Sequence, residues 1–313
     1  MEAAFLQDGC KLDYTAVSAL KGGDVIQLAD GRAAVVPSGV DAGRVIGASV
    51  EGVYEIAKTT GVVFLQGGDV YWDVSASKAH FRPESGTPDF LVGIAVADAA
   101  SSATTVKVAI NTRAPQNIDL RLDQEWVTER TNGQGVTQLP GQISKLEFNA
   151  VAEAAQACVK SIYAVPVSSK PILEARVAVY DKGDNAALDI DLGLASDSHA
   201  TDFEAVTNFV AVHIDGNTLD IRVHSDDGVT DIAPVDSTID AVDDTYFEVW
   251  IDCRNPADVQ VYVNGVDAVP AGTTLTLAQA TTALKALIMI EKTVDDTVAD
   301  VRLSRLRVRT ATE

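Results

Sequence analysis

The sequence predicts an all-β protein of two domains, a small N-terminal β-barrel followed by an antiparallel β-sandwich. Short apolar–polar alternations recur between glycine- and aspartate-rich turns along the whole chain. At 313 residues, the chain is long enough for two hydrophobic cores, and its 47% apolar content excludes a disordered chain. The strand-like pattern stops at Pro115. We therefore expect domains at 1–112 and 117–313, joined by a linker at 113–116.

The clearest β pattern of the first domain lies between Gly52 and Asp73. Residues 53–58 alternate with the two-residue period of a half-buried strand. Residues 62–65 are an apolar run too short for a helix, and residues 70–72 return to a β-rich composition after a Gly-Gly-Asp turn. Three short strands are predicted here.

The first domain also contains a two-copy repeat. Gly-Gly-Asp-Val occurs at 22–25 and at 67–70, and a valine-rich strand around a glycine follows each copy, 24 and 25 residues downstream. Two matches at nearly equal offsets predict a barrel built from two similar β units. Coincidence within a glycine-rich β sequence is the alternative.

Five features follow one another in the first 112 residues. They are Phe-x-Gln-x-Gly at 5–9, Gly-Asp-Val at 23–25, Gly-Val-Tyr-Glu-Ile-Ala-Lys at 52–58, Gly-Asp-x-Tyr-Trp-Asp at 68–73 and a final valine-rich strand ending at Ile110. In this order they resemble the tailed-phage capsid cement, or head decoration, proteins. The resemblance implies a structural virion protein that binds the outside of a phage capsid as a homotrimer, contacts the major capsid protein and stabilises the expanded lattice.

The N-terminal arm, residues 1–14, supplies the candidate capsid contacts. Phe5, Leu6 and Tyr14 are more large apolar side chains than a solvated tail needs, and Gln7 lies among them. A segment that becomes ordered against a partner sheet would suit this composition, whereas a mobile terminus is the alternative. By the resemblance, these four residues contact the capsid. We also expect the fold to survive removal of Met1–Asp13.

The clearest hairpin of the second domain pairs residues 247–252 with 258–263, and Asn264–Gly265 is a strong turn signal after it. The strand–turn–strand sequence at 259–266, VQVYVNGV, resembles the concanavalin-like and laminin-G-like jelly rolls. This resemblance implies two antiparallel sheets packed face to face. Residues 147–160 are rich in alanine, which favours a helix, but their apolar positions fit two strands joined by a turn equally well. We predict two strands. A lectin-like domain that projects outward and binds glycans is expected. The alternative is a carbohydrate-binding or adhesion module without a capsid-stabilising role.

Charge limits the partners. The net charge is −21, with −5 in residues 1–112 and −16 in the remainder. An acidic surface repels phosphate groups, so nucleic acid is not expected as a partner. Because no run of 18 apolar residues exists, no membrane partner is expected either. No basic-then-apolar leader follows Met1, which predicts synthesis in the bacterial host cytoplasm and a final place on the outer surface of the capsid.

The sequence lacks recognisable catalytic motifs. None of the four histidines has a zinc-protease spacing, and no nucleophile elbow or P-loop occurs. We therefore predict no enzyme activity and no catalytic, cofactor-binding or metal-binding residue. Asp189 and Asp191 share a strand face with the spacing of a glycosidase pair, but such alternation is also typical of an exposed sheet. For the same reason we place His213 and His224 on a strand surface.

Three further patterns have a functional and a simpler interpretation. Acidic pairs could hold Ca²⁺, although solvated turns are favoured; they are Asp181–Asp184, Asp226–Asp227, Asp243–Asp244 and Asp295–Asp296. The cysteines have no zinc or disulfide spacing, so buried thiols are expected at Cys158 and Cys253, with Cys10 also unpaired. Arg305, Arg307 and Arg309 share one strand face, where solvent exposure is favoured over ion pairs with an acidic neighbour.

Overall fold

The computed structural model describes residues 9–83, 87–113, 126–132, 135–200 and 202–310. The chain divides into two compact units, unit 1 (Met1–Pro115) and unit 2 (Gln116–Glu313). Within the described ranges, regular structure consists of antiparallel strands and two short 3₁₀ helices, Val167–Ser169 and Phe203–Ala205. The predicted all-β class is confirmed.

Unit 1 contains two separate sheets. The first has the strand order β1-β4-β3-β2. Its strands are β1 (Lys11–Thr15), β2 (Val25–Gln27), β3 (Ala33–Val35) and β4 (Val45–Ser49). The second has the order β5-β9-β8-β6-β7. Its strands are β5 (Val53–Ala57), β6 (Asp69–Asp73), β7 (Lys78–His80), β8 (Phe90–Ala95) and β9 (Thr105–Ile110).

Among the described residues, no continuous ladder closes either sheet of unit 1, so the predicted closed barrel is not assigned. The two ends of the second sheet nevertheless meet at one isolated parallel bridge, between Lys58, just after β5, and Ala79 of β7. Several strands have only three residues, and a closed barrel requires a continuous ladder around its whole circumference. The predicted strands at 53–58 and 70–72 form as β5 and β6. The predicted strand at 62–65 is wrong, because only Phe64 makes an isolated bridge, with Ala99. Its apolar composition reflects burial within a connection.

The two repeat copies form strands with different neighbours. In the first copy β3 lies between β2 and β4, whereas in the second β6 lies directly beside β8. Glycine is required at position 93 of β8, because a Cβ there would lie 2.0 Å from the carbonyl oxygen of Ala109 on β9. The repeat thus predicts strands but not a repeated topology.

Asn111 connects the two sheets of unit 1. It follows β9 with φ 54°, a left-handed conformation that asparagine tolerates better than most residues. Its Nδ2 donates to the carbonyl oxygens of Ala33 (2.8 Å) and Val50 (2.7 Å), and its Oδ1 accepts from the N–H of Ala33 (2.9 Å). One side chain therefore satisfies backbone groups of β3 and of the chain after β4.

We expect Asn111→Ala to destabilise unit 1 by about 3 kcal/mol, because three hydrogen bonds are lost and alanine disfavours this conformation. The measurement is thermal unfolding of the full chain, with the unit 1 transition assigned by hydrogen exchange of β3. Asn111→Gly keeps the backbone freedom and isolates the hydrogen bonds, so it should fall between alanine and the wild type. Equal stability of the alanine variant and the wild type would contradict the assignment.

Unit 2 is a sandwich of two seven-stranded sheets. We call the sheet ordered β10-β13-β22-β15-β16-β17-β18 the front sheet. Its strands are β10 (Trp126–Arg130), β13 (Glu153–Ser161), β15 (Leu188–Ala195), β16 (Phe209–Asp215), β17 (Asp220–Asp226), β18 (Asp231–Asp240) and β22 (Lys285–Asp295). The back sheet has the order β11-β12-β23-β14-β19-β20-β21. Its strands are β11 (Gly135–Leu139), β12 (Ile143–Phe148), β14 (Pro171–Asp181), β19 (Phe247–Asp252), β20 (Gln260–Val263), β21 (Val266–Asp267) and β23 (Ala299–Thr310).

Alternate residues of the strands build the core between the sheets. On β15, for example, Ile190 and Leu192 are buried in the main cluster, which also contains Val249 of the back sheet. The predicted hairpin forms as β19 and β20, and Asn264 and Gly265 both have positive φ in the turn that follows. The β prediction for residues 147–160 is confirmed by β12 and β13.

A β-bulge orients the arginines of β23. Val301 and Leu303 lie in the core, and continued alternation would place Arg305 there as well. The pairing with β14 shifts register at this point, so that Leu306 and Val308 become the core residues. Arg305, Arg307 and Arg309 consequently share the opposite face, as predicted.

The expectation that this arginine face is simply solvated is wrong. Glu174 is 3% exposed and pairs with Arg307 and Arg309, and the Arg309 Nε donates to its Oε1 over 2.8 Å. Glu248, also buried, pairs with Arg305. Although burial alone would raise it, the charges of the two arginines lower the pKa of Glu174 to about 2.

Glu174→Gln should destabilise unit 2 by about 3 kcal/mol at pH 6, because two arginines lose a buried anionic partner. The folded-state pKa of Glu174 is depressed from 4.5, so its contribution exists above pH 4.5 and disappears as the pH falls through about 2. The difference between wild type and variant in urea unfolding should therefore shrink between pH 5 and pH 2. Glu147→Gln, at a partly exposed pair with Lys145, is the control and should cost under about 1 kcal/mol. A difference for Glu174→Gln that does not vary with pH would contradict the ion-pair assignment.

Candidate functional site

The outer face of the front sheet carries a cluster of carboxylates and histidines. The residues that alternate with the core positions of β15 are Asp189 and Asp191, and those of β16 are His213 and Asp215. The register pairs Asp191 directly with His213 across these strands, and β17 adds His224. We call Asp189, Asp191, His213, Asp215 and His224 the histidine cluster.

His213 lies between two aspartates. Its Nδ1 donates to Asp191 Oδ1 over 3.0 Å and its Nε2 to Asp215 Oδ1 over 2.9 Å, and Asp189 Oδ1 lies 3.8 Å from the same Nε2. Arg222 pairs with the other oxygen of Asp215. With both ring nitrogens donating, the imidazole is an imidazolium held by acidic groups.

The electrostatics agree with this arrangement. Burial disfavours the charged imidazolium, but the charge of Asp191 and the hydrogen bonds raise the pKa of His213 to about 10. Burial would also raise the pKa of Asp191, but the charge of His213 holds it below the usual value. Asp189, which accepts none of these hydrogen bonds, has its pKa raised by burial to about 6.

His224 is the least satisfied member of the cluster. Its Nε2 lies 3.1 Å from Asp191 Oδ1 but outside hydrogen-bonding geometry, so both ring nitrogens are buried without a hydrogen-bond partner among the described residues. The rings of Phe203 and Phe209 pack against its other sides, with centroids 5.6 and 4.7 Å away. An apolar environment makes an unpaired imidazole costly.

The connection between β15 and β16 covers this part of the sheet. Phe203, within a 3₁₀ helix of that connection, is fully buried, and its N–H donates to Glu291 Oε1 of β22 over 2.9 Å. Burial raises the pKa of Glu291 to about 8 against the effect of that hydrogen bond. A sheet that would otherwise be exposed is thus closed to water around the histidine cluster.

The structure corrects one expectation and extends another. His213 and His224 are 5% and 1% exposed, so their predicted place on a strand surface is wrong: the strand position was right, but the connection around Phe203 covers it. Asp189 and Asp191 share a face as predicted, yet Asp191 is bound to a histidine and buried. Asp191 therefore does not form the open carboxylate pair that glycoside hydrolysis requires. The interval of thirteen residues between β15 and β16 was the available sequence signal.

A polar cleft opens on the same face at the other end of the front sheet. Its volume is about 610 Å³. Its lining comes from β10, β13 and residues 197–200, and includes Glu129, Arg130, Gln156, Lys160, Asp197 and Ser198. Lys160 pairs with Glu129 over 2.6 Å and with Asp197, and also donates to Ser198 Oγ over 2.9 Å. We call this the β10–β13 cleft.

Gln156 is distinctive among the lining residues. It is 2% exposed, and its Nε2 has no hydrogen-bond partner among the described residues. Its backbone is fixed, since its N–H donates to Thr131 Oγ1 over 2.8 Å. The cleft therefore combines an organised ion-pair group with one buried amide that can still donate.

The acidic turns bind their own backbone. Asp226 Oδ1 accepts from the N–H of Gly228, and Asp227 Oδ1 accepts from those of Val229 and Thr230. Asp295 Oδ1 likewise accepts from a backbone N–H two residues on. The favoured interpretation as solvated turns stays a prediction, with calcium binding as its alternative.

The cysteine predictions are confirmed. All three cysteines are free, Cys158 and Cys253 are buried, and Cys10 is exposed. Burial raises the pKa of both buried thiols, which makes them poor nucleophiles. Among the described residues, no helix has the length and apolar character needed to cross a membrane.

Unit 1 presents an edge strand next to the N-terminal arm. β1 pairs only with β4, so its other edge is open within the described sheet. Thr15 at its end pairs with Val45, which is 61% exposed, and Val17 just beyond is 86% exposed. Exposed apolar side chains beside an open strand edge are typical of a surface that pairs with another chain.

Residues 6–110 match the family model described as phage cement protein. The match lies entirely within unit 1 and covers about a third of the chain. This confirms the resemblance drawn from the five sequence features, and it supports a capsid decoration role. No curated protein is similar to the chain in sequence.

Solved structures similar to this chain are distant in sequence. The Emp47p carbohydrate recognition domain shares 9% identity at a TM-score of 0.41, covering 62% of this chain and 94% of its own. A β-1,3-glucanase from Mycobacterium marinum shares 9% at 0.40, with 62% and 99% covered. A structure from a study of endo-acting O-glycanases of the human gut microbiota shares 10% at 0.45, with 63% and 100% covered.

Of the four capsid contacts predicted from the sequence, Tyr14 lies among the described residues of unit 1. Phe5, Leu6 and Gln7 lie outside the described residues. Tyr14 lies in β1, half-buried, and packs against the small cluster of Ala34, Ala48 and Val50. Its aromatic ring thus contributes to the core of the first sheet, and contact with a capsid stays a prediction for all four residues.

The expectation that Met1–Asp13 can be removed without affecting the fold is wrong. Residues 11–13 form the first part of β1 and pair with residues 47–49 of β4. Leu12 also packs against the same small cluster as Tyr14. A deletion that tests the arm must therefore end before β1.

Proposed function

We propose that the protein is a head decoration protein: unit 1 binds the outside of a phage capsid and stabilises the expanded lattice, while unit 2 presents a lectin-like face to the surrounding medium. The observation that carries the proposal is the cement-family match, which spans nearly all of unit 1. Each bound copy stabilises the capsid by linkage, because a protein that binds only the expanded lattice shifts the equilibrium toward it. The role is structural and non-enzymatic.

The contact surface we propose is the open edge of β1 together with the N-terminal arm. Backbone groups of an edge strand can extend the sheet of a neighbouring chain, and the exposed Val17 and Val45 add apolar area beside it. The neighbour is the major capsid protein, or a second copy within a homotrimer at a local threefold position. This assignment predicts that the chain is trimeric or becomes so on the lattice.

Deletion of residues 1–8 should weaken binding to expanded, undecorated phage heads at least about tenfold, because the proposed interface loses the apolar side chains of Phe5 and Leu6 while β1 stays whole. Co-sedimentation measures saturation and stoichiometry, and thermal melting of the heads measures stabilisation. Gln156→Leu, in unit 2, is the matched control and should bind heads like the wild type. Wild-type chain that does not co-sediment would contradict the decoration role, whereas unchanged binding by the deletion variant would contradict only the arm contact.

For unit 2 we propose glycan binding in the β10–β13 cleft. The cleft offers carboxylates, a lysine and the unpaired Gln156 amide within one concave surface, which are the donors and acceptors that sugar hydroxyl groups use. Lys160 already holds Glu129 and Asp197 in ion pairs, so these side chains lose little further conformational entropy when a ligand binds. The same cleft supports the alternative function, a carbohydrate-binding or adhesion module without a capsid-stabilising role.

Gln156→Leu should abolish glycan binding with little effect on stability, because it keeps the side-chain volume and removes a buried Nε2 that has no hydrogen-bond partner among the described residues. The measurement is a glycan array with the full chain, followed by titration of the best ligand. Gln260→Leu, on β20 of the back sheet, is the control. Binding that survives Gln156→Leu, or the absence of any ligand for the wild type, would contradict the cleft assignment. Glycan binding combined with no affinity for heads would favour the adhesion function.

A further inference from the structure

We propose that Asp191, His213 and His224 form a binding site for a divalent transition-metal ion of the Zn²⁺ class. The ion would coordinate Asp191 Oδ1, His213 Nδ1 and His224 Nε2, three atoms that lie within 4.8 Å of one another. The inference is independent of the capsid and glycan proposals. It also differs from the sequence-based expectation of calcium at acidic turns, which concerns other residues.

The sheet itself positions the three ligands. Asp191 and His213 are paired across β15 and β16, and His224 comes from β17, the next strand along. Ligands on three adjacent strands of one sheet are held by backbone hydrogen bonds on both sides, so their geometry does not depend on a loop. All three side chains are more than nine-tenths buried.

The distances suit an ion that replaces a proton. Asp191 Oδ1 lies 3.0 Å from His213 Nδ1 and 3.1 Å from His224 Nε2. With metal–ligand bonds of about 2.1 Å, such separations correspond to ligand–metal–ligand angles of about 90°. Five- and six-coordinate ions accept this angle. Binding displaces the proton that His213 Nδ1 donates to Asp191, and that proton leaves to solvent.

His224 is the observation that distinguishes a metal site from a simple ion pair. A simple ion pair accounts for the positions of His213 and Asp191. It does not account for the buried His224 ring, which has no hydrogen bond on either nitrogen among the described residues. An ion bound between His224 Nε2 and Asp191 Oδ1 would give this nitrogen a ligand bond. Phe203 and Phe209 then supply the hydrophobic shell that commonly surrounds a metal site and limits the access of solvent.

His213 also has the outer partner typical of a metal ligand. Its second nitrogen, Nε2, donates to Asp215 over 2.9 Å, which fixes the ring orientation and directs the Nδ1 lone pair at the site. Arg222 in turn holds Asp215. Two imidazoles and one carboxylate favour zinc and similar ions, whereas Ca²⁺ prefers six or more oxygen ligands.

The test uses the full chain after dialysis against EDTA, with Co²⁺ absorption as the spectroscopic probe and Zn²⁺ as the competitor. We expect one ion per chain, a Co²⁺ spectrum with nitrogen ligands that Zn²⁺ abolishes, no displacement by excess Ca²⁺, and a higher Tm for unit 2 when Zn²⁺ is present. His224→Leu should weaken Zn²⁺ binding at least about 100-fold, since even outer partners of metal ligands contribute 10–100-fold.

Two controls keep the result interpretable. His224→Leu replaces an unpaired buried ring by an apolar side chain, and its circular dichroism should match that of the metal-free wild type. His80→Gln, in unit 1, removes a histidine outside the site and should leave Zn²⁺ binding unchanged. The proposal is overturned if the wild type binds no Zn²⁺ saturably, if Ca²⁺ displaces Co²⁺, or if His224→Leu binds Zn²⁺ as tightly as the wild type.

Discussion

The central strands of the front sheet, β15, β16 and β22, are buried on both faces along most of their length, and much of the chemistry of this protein depends on that constraint. One face packs against the back sheet with apolar side chains. The other carries polar residues that the connection through Phe203 closes to water. Polar groups under such a cover must find partners within the protein, because the free energy of an unpaired buried group is high. Burial raises the pKa of Glu291, whereas it opposes the charge of His213, which Asp191 and the hydrogen bonds to the ring maintain.

The back sheet meets a similar constraint in a different way. Its outer face keeps arginines at the edge of solvent and buries their carboxylate partners, Glu174 and Glu248, beneath them. The long aliphatic stems of the arginines cover the carboxylates while the guanidinium groups stay partly hydrated. The front sheet instead buries histidines and aspartates together. Two faces of one sandwich thus contain buried charge, and only the front face leaves ring nitrogens without partners among the described residues.

The sequence predicted features that depend on local pattern. The all-β class, the hairpin of β19 and β20 and the shared face of Asp189 and Asp191 follow from two-residue alternation and turn residues, which adjacent positions determine. The cement resemblance rested on the order of short motifs, and the family match confirms it. The missed features depend on contacts between distant residues.

Burial of the histidine cluster required knowing that the connection between β15 and β16 folds back over β16 and β17. The bulge of β23 was equally hidden, because Val301, Leu303 and Arg305 have the same parity in the sequence but lie on different faces. The repeat did not specify the sheet topology for a related reason. Repeated strand sequences specify strands, while the partner of each strand depends on the connections, and here the two copies pair differently.

In unit 1, Asn111 and the edge of β1 show how a small domain can satisfy its interior backbone groups and still keep one strand edge open. Asn111 satisfies backbone groups where the two sheets meet, so the interior of the unit needs no further strand pairing there. The opposite edge of the first sheet, β1, keeps an open side beside the exposed Val17 and Val45. Proteins usually protect such edges because they promote association. In the proposed decoration role the same property would be useful, since an edge that pairs only with a suitably spaced neighbour would couple binding to the geometry of the expanded lattice.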